Sequence, residues 1–104
     1  MASSIDDITV EYVEDGVTTV KELDKVILTK GAWCTIVFKI ETWNRAKQAY
    51  NPTSYTIRRY QKRGGEFKQR SKFNISSDDQ AQKIIDVLTH WIREQGAHDQ
   101  EVTS

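Results

Sequence analysis

The stretch YTIRRYQKRGGEFKQRSKFNI, residues 55–75, decides how this chain is read. It divides into two runs of alternating character joined at Gly64 and Gly65, the pattern of two antiparallel strands and a tight turn. In the second run Phe67, Phe73 and Ile75 fall at odd positions, and Lys68, Arg70, Lys72 and Asn74 at even ones. An extended backbone sends successive side chains to opposite faces, so one face of this strand is apolar and the other cationic. In the first run Tyr55 and Ile57 alternate with Arg58, Tyr60 and Lys62, which puts an aromatic ring and positive charge on one face. Arg59 breaks the alternation and is expected near an edge. A sheet face of cations with rings among them suits a single nucleic-acid strand, because cations meet phosphates and rings meet unpaired bases. An ordinary solvated antiparallel face has the same composition, since Lys and Arg blunt edge pairing. On the hairpin alone the two readings are evenly matched.

Upstream, AWCTIVFKIETW at residues 32–43 is rich in β-branched and aromatic residues and reads as the longest strand. Its even members Cys34, Ile36, Phe38 and Ile40 form an apolar row directed at a core. If sequence neighbours pair, Lys39 and Trp43 on the odd side join the basic rows of the hairpin and add an indole to that face. Earlier still, ITVEYV and VTTV flank Glu14-Asp15-Gly16 and predict a short hairpin, because Asp-Gly supplies the positive φ of tight turns. KELDKVILTK mixes helical spacing with β-branched residues and is read as a strand ending at Lys30-Gly31. Residues 44–54, NRAKQAYNPTS, carry Arg45, Lys47 and Tyr50 without periodicity and predict a long mobile loop. Residues 1–7 read as a disordered polar lead.

Downstream, SSDDQAQKIIDVLTHWIREQG announces a helix, with Ser77 and Gln80 at capping-box spacing, acids in the first turn and Gly96 as the stop. Ala81, Ile84, Ile85, Leu88, Trp91 and Ile92 recur every three or four residues, giving one apolar stripe that the sheet's apolar rows should cover. The stripe is longer than a small sheet, so Leu88, Trp91 and Ile92 are expected to overhang it and meet a second copy. Residues 97–104 read as a disordered tail. The expected architecture is α+β: one domain over residues 8–96, a curved antiparallel sheet of four to five strands followed by one C-terminal amphipathic helix, paired as a homodimer.

A chain of 104 residues has room for one such domain and one modest core. The net charge is zero, yet residues 1–30 carry −4, residues 31–75 carry +8 and residues 76–104 carry −4. Cations concentrated in the middle point to an anionic partner, although acidic ends equally serve solubility. Cys34 is the one cysteine and sits in the apolar run CTIVF, where a core role outweighs a nucleophilic one. MASSIDDITV lacks the basic and apolar regions of a secretory leader, and nowhere do 18 apolar residues run together, so no membrane is expected and the cytoplasm is the expected compartment. His90 and His98 lack partners at metal-ligand spacing, Ser76 and Ser77 are explained as helix caps, and Gly64-Gly65 does not open a helix as a phosphate loop would. No catalytic residue, metal, cofactor or small-molecule substrate is therefore expected.

With IRRY, GEFK, RSKFNIS and DDQ in this order before and into a C-terminal helix, residues 32–95 resemble the single-stranded-DNA-binding domain of the transcriptional coactivator positive cofactor four family. The resemblance implies a dimer whose curved sheets bind single-stranded or melted DNA, with the helices at or near the dimer interface. It places a DNA-contacting arginine at Arg58 and puts Arg70 in the family's basic segment before the last strand. Gln61 stands where the family has an aromatic residue, the family's loop before G-E-x-K is longer, and residues 1–30 have no counterpart. These departures bear on stacking more than on fold. The resulting expectation is a non-enzymatic single-stranded nucleic-acid-binding module, DNA before RNA, with phosphate contacts from Lys39, Arg58, Lys62, Lys68, Arg70 and Lys72. Stacking is expected from Tyr60 and Trp43. The alternative is a protein-interaction or assembly module that uses the same surfaces without nucleic acid.

Overall fold

The computed structural model describes residues 3–103, with side chains described as far as residue 96. Six strands build one curled antiparallel sheet: β1 (Tyr12–Glu14), β2 (Val17–Thr29), β3 (Trp33–Asn44), β4 (Ala49–Tyr50), β5 (Ser54–Arg63) and β6 (Glu66–Ile75). Helix α1 (Asp78–Thr103) follows. The order across the sheet is β1-β2-β3-β5-β6, with β4 paired to the end of β3. Tight turns join β1 to β2 and β5 to β6, while β3 and β5 are joined by residues 45–53, which include β4. Asp15 and Gly16 both have positive φ, as do Gly64 and Gly65, and this left-handed backbone matches the twist of the flanking strands. β2 runs unbroken through residues 21–29, so the ambiguous KELDKVILT is the second half of one long strand.

The register sorts every side chain onto one of two faces, since directly opposed residues share a face. Cys34, Ile36, Phe38 and Ile40 point to the same side, as their spacing predicts, and all four are buried. Opposite them on β5 lie Tyr60, Arg58, Thr56 and Ser54. This is the closed face. The other, open face carries Trp33, Thr35, Val37 and Lys39 of β3 against Gln61, Arg59, Ile57 and Tyr55 of β5.

Two expectations fail on this register. The apolar row of β3 and the apolar residues Ile57, Phe73 and Ile75 lie on opposite faces, because Val37 pairs with Ile57 and Ile57 with Phe73. Phe67 nevertheless joins the closed face, opposite Lys62. A bulge at Arg70 places two residues against one and inverts the alternation of β6 at that point. Strict parity across Phe67, Phe73 and Ile75 is therefore broken by one extra residue.

Cover for the closed face comes from the N-terminal segment instead of the helix. Ile8 is buried in the cluster of Cys34, Ile36, Phe38, Ile40, Tyr60 and Phe67, with Ile5, Val10, Val20 and Ile27 packed around it. A 3-10 turn at Ile5–Asp7 shapes this segment. Lys25 Nζ pins it by donating to the carbonyls of Ile5 (3.4 Å), Asp6 (2.9 Å) and Ile8 (2.7 Å). The segment expected to begin as a polar lead thus packs on the sheet from Ile5 onward; Met1 and Ala2 lie outside the described residues. An apolar sheet face with no helix over it draws in the nearest hydrophobic chain, here Ile5 and Ile8.

The stretch after β3 is likewise no mobile loop. β4 pairs with Trp43 and Asn44, and the Asn51 N–H donates to the Thr42 carbonyl at 2.8 Å. Asn44 and Thr42 hydrogen-bond the Asn51 side chain, and the Tyr50 hydroxyl donates to the Thr18 carbonyl at 2.9 Å. Asn side chains here replace the periodic signal that strands of two residues cannot give.

α1 begins as its sequence predicts. The Gln80 N–H donates to Ser77 Oγ at 3.1 Å, while Gln80 Oε1 accepts from the Ser76 N–H at 3.0 Å. This capping box seats the helix at one end of the open face, in a cleft lined by Val37, Tyr55, Ile57, Ile75, Ala81, Ile84 and Ile85. The Tyr55 hydroxyl donates to Asp78 Oδ1 at 2.8 Å and fastens the first turn. Beyond Ile85 the helix leaves the sheet. It runs through Gly96 to Thr103, so Gly96 is not its stop; the side chains of residues 97–103, where a tail is expected, lie outside the described residues. Twenty-six residues span about 39 Å, and the radius of gyration of 17.5 Å exceeds the ~13 Å usual for a chain this long. No helix among the described residues is long and apolar enough to cross a membrane.

Candidate nucleic-acid interface

The cations of the β5–β6 hairpin gather at one edge of the sheet. β6 is an outermost strand, and all its residues from Lys68 to Asn74 are exposed. Three positive side chains lie along this edge: Lys68, Arg70 and Lys72. Arg58 lies opposite Lys72 and Arg59 opposite Ser71, one strand further in.

What distinguishes these arginines is how they are held. Arg58 Nη1 donates to Gln69 Oε1 at 2.8 Å, and its Nε donates to Thr56 Oγ1 at 3.0 Å. Thr56 is fully buried and its hydroxyl donates to Asn74 Oδ1 at 2.8 Å, so the chain of bonds is anchored in the core. Arg70 Nε donates to Gln61 Oε1 at 3.1 Å. Both guanidinium groups are positioned by neutral amides. Among the described residues the ion pairs are Arg45–Glu14 and Lys83–Asp79, with His90 Nε2 3.4 Å from Glu94, and none of these contacts involves a hairpin cation. Positive charge that is oriented but not neutralised by the protein is available to an external anion.

The faces do not divide as the sequence pattern predicts. Arg58, Tyr60, Lys62 and Lys72 belong to the closed face, while Lys68 lies opposite Gln61 on the open face and Arg70 reaches the same glutamine. The inversion at Arg70 splits what reads as one basic row into two, meeting at the β6 edge. Lys62 stands over the Phe67 ring at 5.6 Å, beside the N-terminal segment.

Tyr60 is not a stacking platform. It is 6% exposed, within the core, and burial pushes its hydroxyl above the ordinary value of 10.0. Trp43 packs edge-to-face on Tyr50 at 5.0 Å between ring centroids. Lys39 is on the open face opposite Tyr55, six residues along β3 from Trp33 and so about 20 Å from the level of Trp33 and Gln61. The structure therefore does not bring Lys39, Trp43 and Tyr60 together with the edge cations.

Two residues absent from the expected site are present at it. Arg59 lies on the open face of an interior strand, not at an edge, and its guanidinium carbon sits 4.4 Å from the centroid of the Trp33 ring. Trp33 pairs with Gln61, which pairs with Lys68. The position of Trp33, first in the strand and one turn from Gly31, gave no sign of this; the break that Arg59 makes in the alternation did. Burial also raises the pKa of the Cys34 thiol from 9.0, consistent with its place in the core. The chain matches no family model, no curated protein and no solved structure in the three comparisons made.

Proposed function

We propose that this protein is a non-enzymatic module that binds single-stranded nucleic acid, DNA before RNA, along the β6 edge of its sheet. The observation that carries the reading is the pair of amide-held guanidiniums, Arg58 on Gln69 and Arg70 on Gln61, with no carboxylate neutralising either. Lys68, Lys72 and Arg59 complete a cluster of five cations reachable by one phosphate backbone. Its resemblance to the positive cofactor four family supports the same ligand. A buried, unpaired Cys34 suits a reducing compartment such as the cytoplasm.

The functional unit in this proposal is a homodimer. Val26, Val37, Ile57 and Phe73 are opposed in register and make an apolar row across four strands of the open face. The helix presents Ile85, Leu88, Trp91 and Ile92, the last two 60% and 67% exposed. One molecule thus owns two apolar surfaces that its own fold does not bring together beyond Ile85. Exchanged between two copies about a two-fold axis, helix stripe against sheet row, they cover each other.

Fluorescence anisotropy with a labelled single strand and the corresponding duplex, titrated with salt, tests the ligand. The single strand should bind more tightly, and five phosphate contacts give a log-log salt slope of about −3.5. Absence of binding to either at low salt overturns the proposal in favour of an assembly module whose partner is protein.

A further inference from the structure

We infer that the open face holds a binding position for one unpaired nucleobase, built from Trp33 and Arg59 and flanked by Gln61. The inference rests on the nucleic-acid reading above and adds to it the group that would distinguish a single strand from a duplex. Five cations do not make that distinction, because a duplex has the denser charge. A ring available only to unpaired bases does.

Trp33 is the aromatic placed for it. Tyr60 is buried, Tyr50 and Trp43 pack edge to face, Phe67 is buried beneath Lys62, and Phe73, exposed on the same face, belongs to the apolar row opposite Ile57 that the proposed second copy covers. Trp33 stays 40% exposed although a guanidinium lies against its ring. That guanidinium belongs to an exposed residue, and its planar group offers a base a second stacking surface continuous with the indole. The ladder Trp33, Gln61, Lys68 crosses the sheet toward the edge, and Arg70 is held on Gln61. Adjacent strands are about 4.8 Å apart, so the indole and Lys68 are separated by roughly 10 Å across the sheet. A nucleotide with its phosphate at the edge and its base turned inward spans that interval. Gln61 lies beneath it, with an amide able to donate to or accept from a base edge. Among the described residues no acidic side chain forms an ion pair with this cluster; the acid nearest along β6 is Glu66, at the hairpin tip opposite Arg63.

Photocrosslinking reads the position directly in the unaltered protein. A single-stranded oligothymidylate bearing 5-iododeoxyuridine is irradiated in complex with it, and the linked peptide is identified by mass spectrometry. The expected adduct is on Trp33. Adducts confined to Trp43, Tyr50 or Tyr60 overturn the inference. In parallel, wild type and Trp33→Leu are titrated with a twelve-residue oligothymidylate and with an abasic strand of equal length. The substitution should weaken oligothymidylate binding by about 5- to 150-fold and leave the abasic strand nearly unaffected. Trp33→Phe should restore most of the loss. If wild type binds both strands equally tightly, the base position is refuted while the nucleic-acid reading stands. If it binds neither, both fall.

Discussion

The two faces of the sheet begin from similar material and end differently. Each has an apolar band across β3, β5 and their neighbours: Ile36 and Phe38 on one side, Val37, Ile57 and Phe73 on the other. The first band is closed within the chain by Ile5 and Ile8, and Cys34, Ile36 and Phe38 are wholly inaccessible. The second meets the helix at one end only, leaving Phe73 51% exposed and Val26 more so. Apolar content alone does not decide what becomes core. Where the covering segment is anchored does: the N-terminal segment is pinned along the closed face by Lys25, whereas the helix is seated at one end of the open face and projects past it.

Truncation should expose this difference most strongly. Phe38→Ala removes a fully buried ring and should cost about 3–5 kcal/mol in chemical denaturation, enough to unfold much of a marginal domain. Phe73→Ala removes the same ring from the open face and should cost a small fraction of that at low protein concentration. Its effect should grow with concentration if a second copy covers Phe73. Equal losses at all concentrations would mean that the open face is stabilised within one chain.

Next in size is the loss of pairing. In a single chain Trp91 is mostly exposed, so Trp91→Glu buries no charge and should leave a folded protomer. In the proposed dimer the same charge is buried without a partner, at a cost of several kcal/mol. Analytical ultracentrifugation should therefore show the wild type as a dimer at micromolar concentration and the variant as a 12.0 kDa monomer with an intact far-ultraviolet spectrum. A monomeric wild type would remove the second copy from the open face.

How much of this contrast was legible depends on the residues that encode it. The strands, their turns and the helix cap are local events, and Asp15-Gly16, Gly64-Gly65 and the Ser77–Gln80 pair announce them. The even row of β3 was equally legible, because burial follows alternation wherever pairing is regular. The grouping within β5 was legible too, with Arg58, Tyr60 and Lys62 on one face; which face that is, and the sides taken by the β6 residues, were not, because these depend on which residues are opposed across strands and on one bulge at Arg70, neither of which leaves a mark in composition. The N-terminal roof was missed because Ile5 and Ile8 sit among Ser and Asp, and their burial is a tertiary event. Arg58 and Arg70 were identifiable as cations; that glutamines hold them was not.

A smaller effect separates Tyr60 in the core from an exposed aromatic. Its folded pKa is raised above 10.0 chiefly by burial. Between the unfolded and folded values the unfolded state has lost a proton that the native state keeps, so stability is fully present below pH 10 and falls as pH rises toward the folded value. Cys34 behaves alike from 9.0 upward. Tyr60→Phe should flatten the decline above pH 10 in denaturation midpoints and leave the part beginning near 9 in place. An unchanged alkaline profile would place Tyr60 in contact with solvent.

The finest distinction lies along the open face itself, between the cations at the edge and the one at its centre. Lys39 and Arg70 share that face, but Lys39 lies beside Tyr55 near the helix, while Arg70 is held by Gln61 at the outermost pair of strands. A phosphate backbone following β6 reaches Arg70 and passes Lys39 at a distance beyond the Debye length of about 8 Å at physiological salt. Arg70→Ala should therefore flatten the log-log salt slope for a single strand by about 0.7, the share of one phosphate contact. Lys39→Ala should leave the slope where it was and change affinity only slightly at low salt. Lys72→Ala, on the other side of the same edge, should match Arg70→Ala if the backbone follows the edge, and should match Lys39→Ala if the strand lies wholly on the open face. The three slopes together locate the path of the ligand to one side of β6 or along it, and a slope lost at Lys39 but kept at Arg70 would move the path to the centre of the sheet.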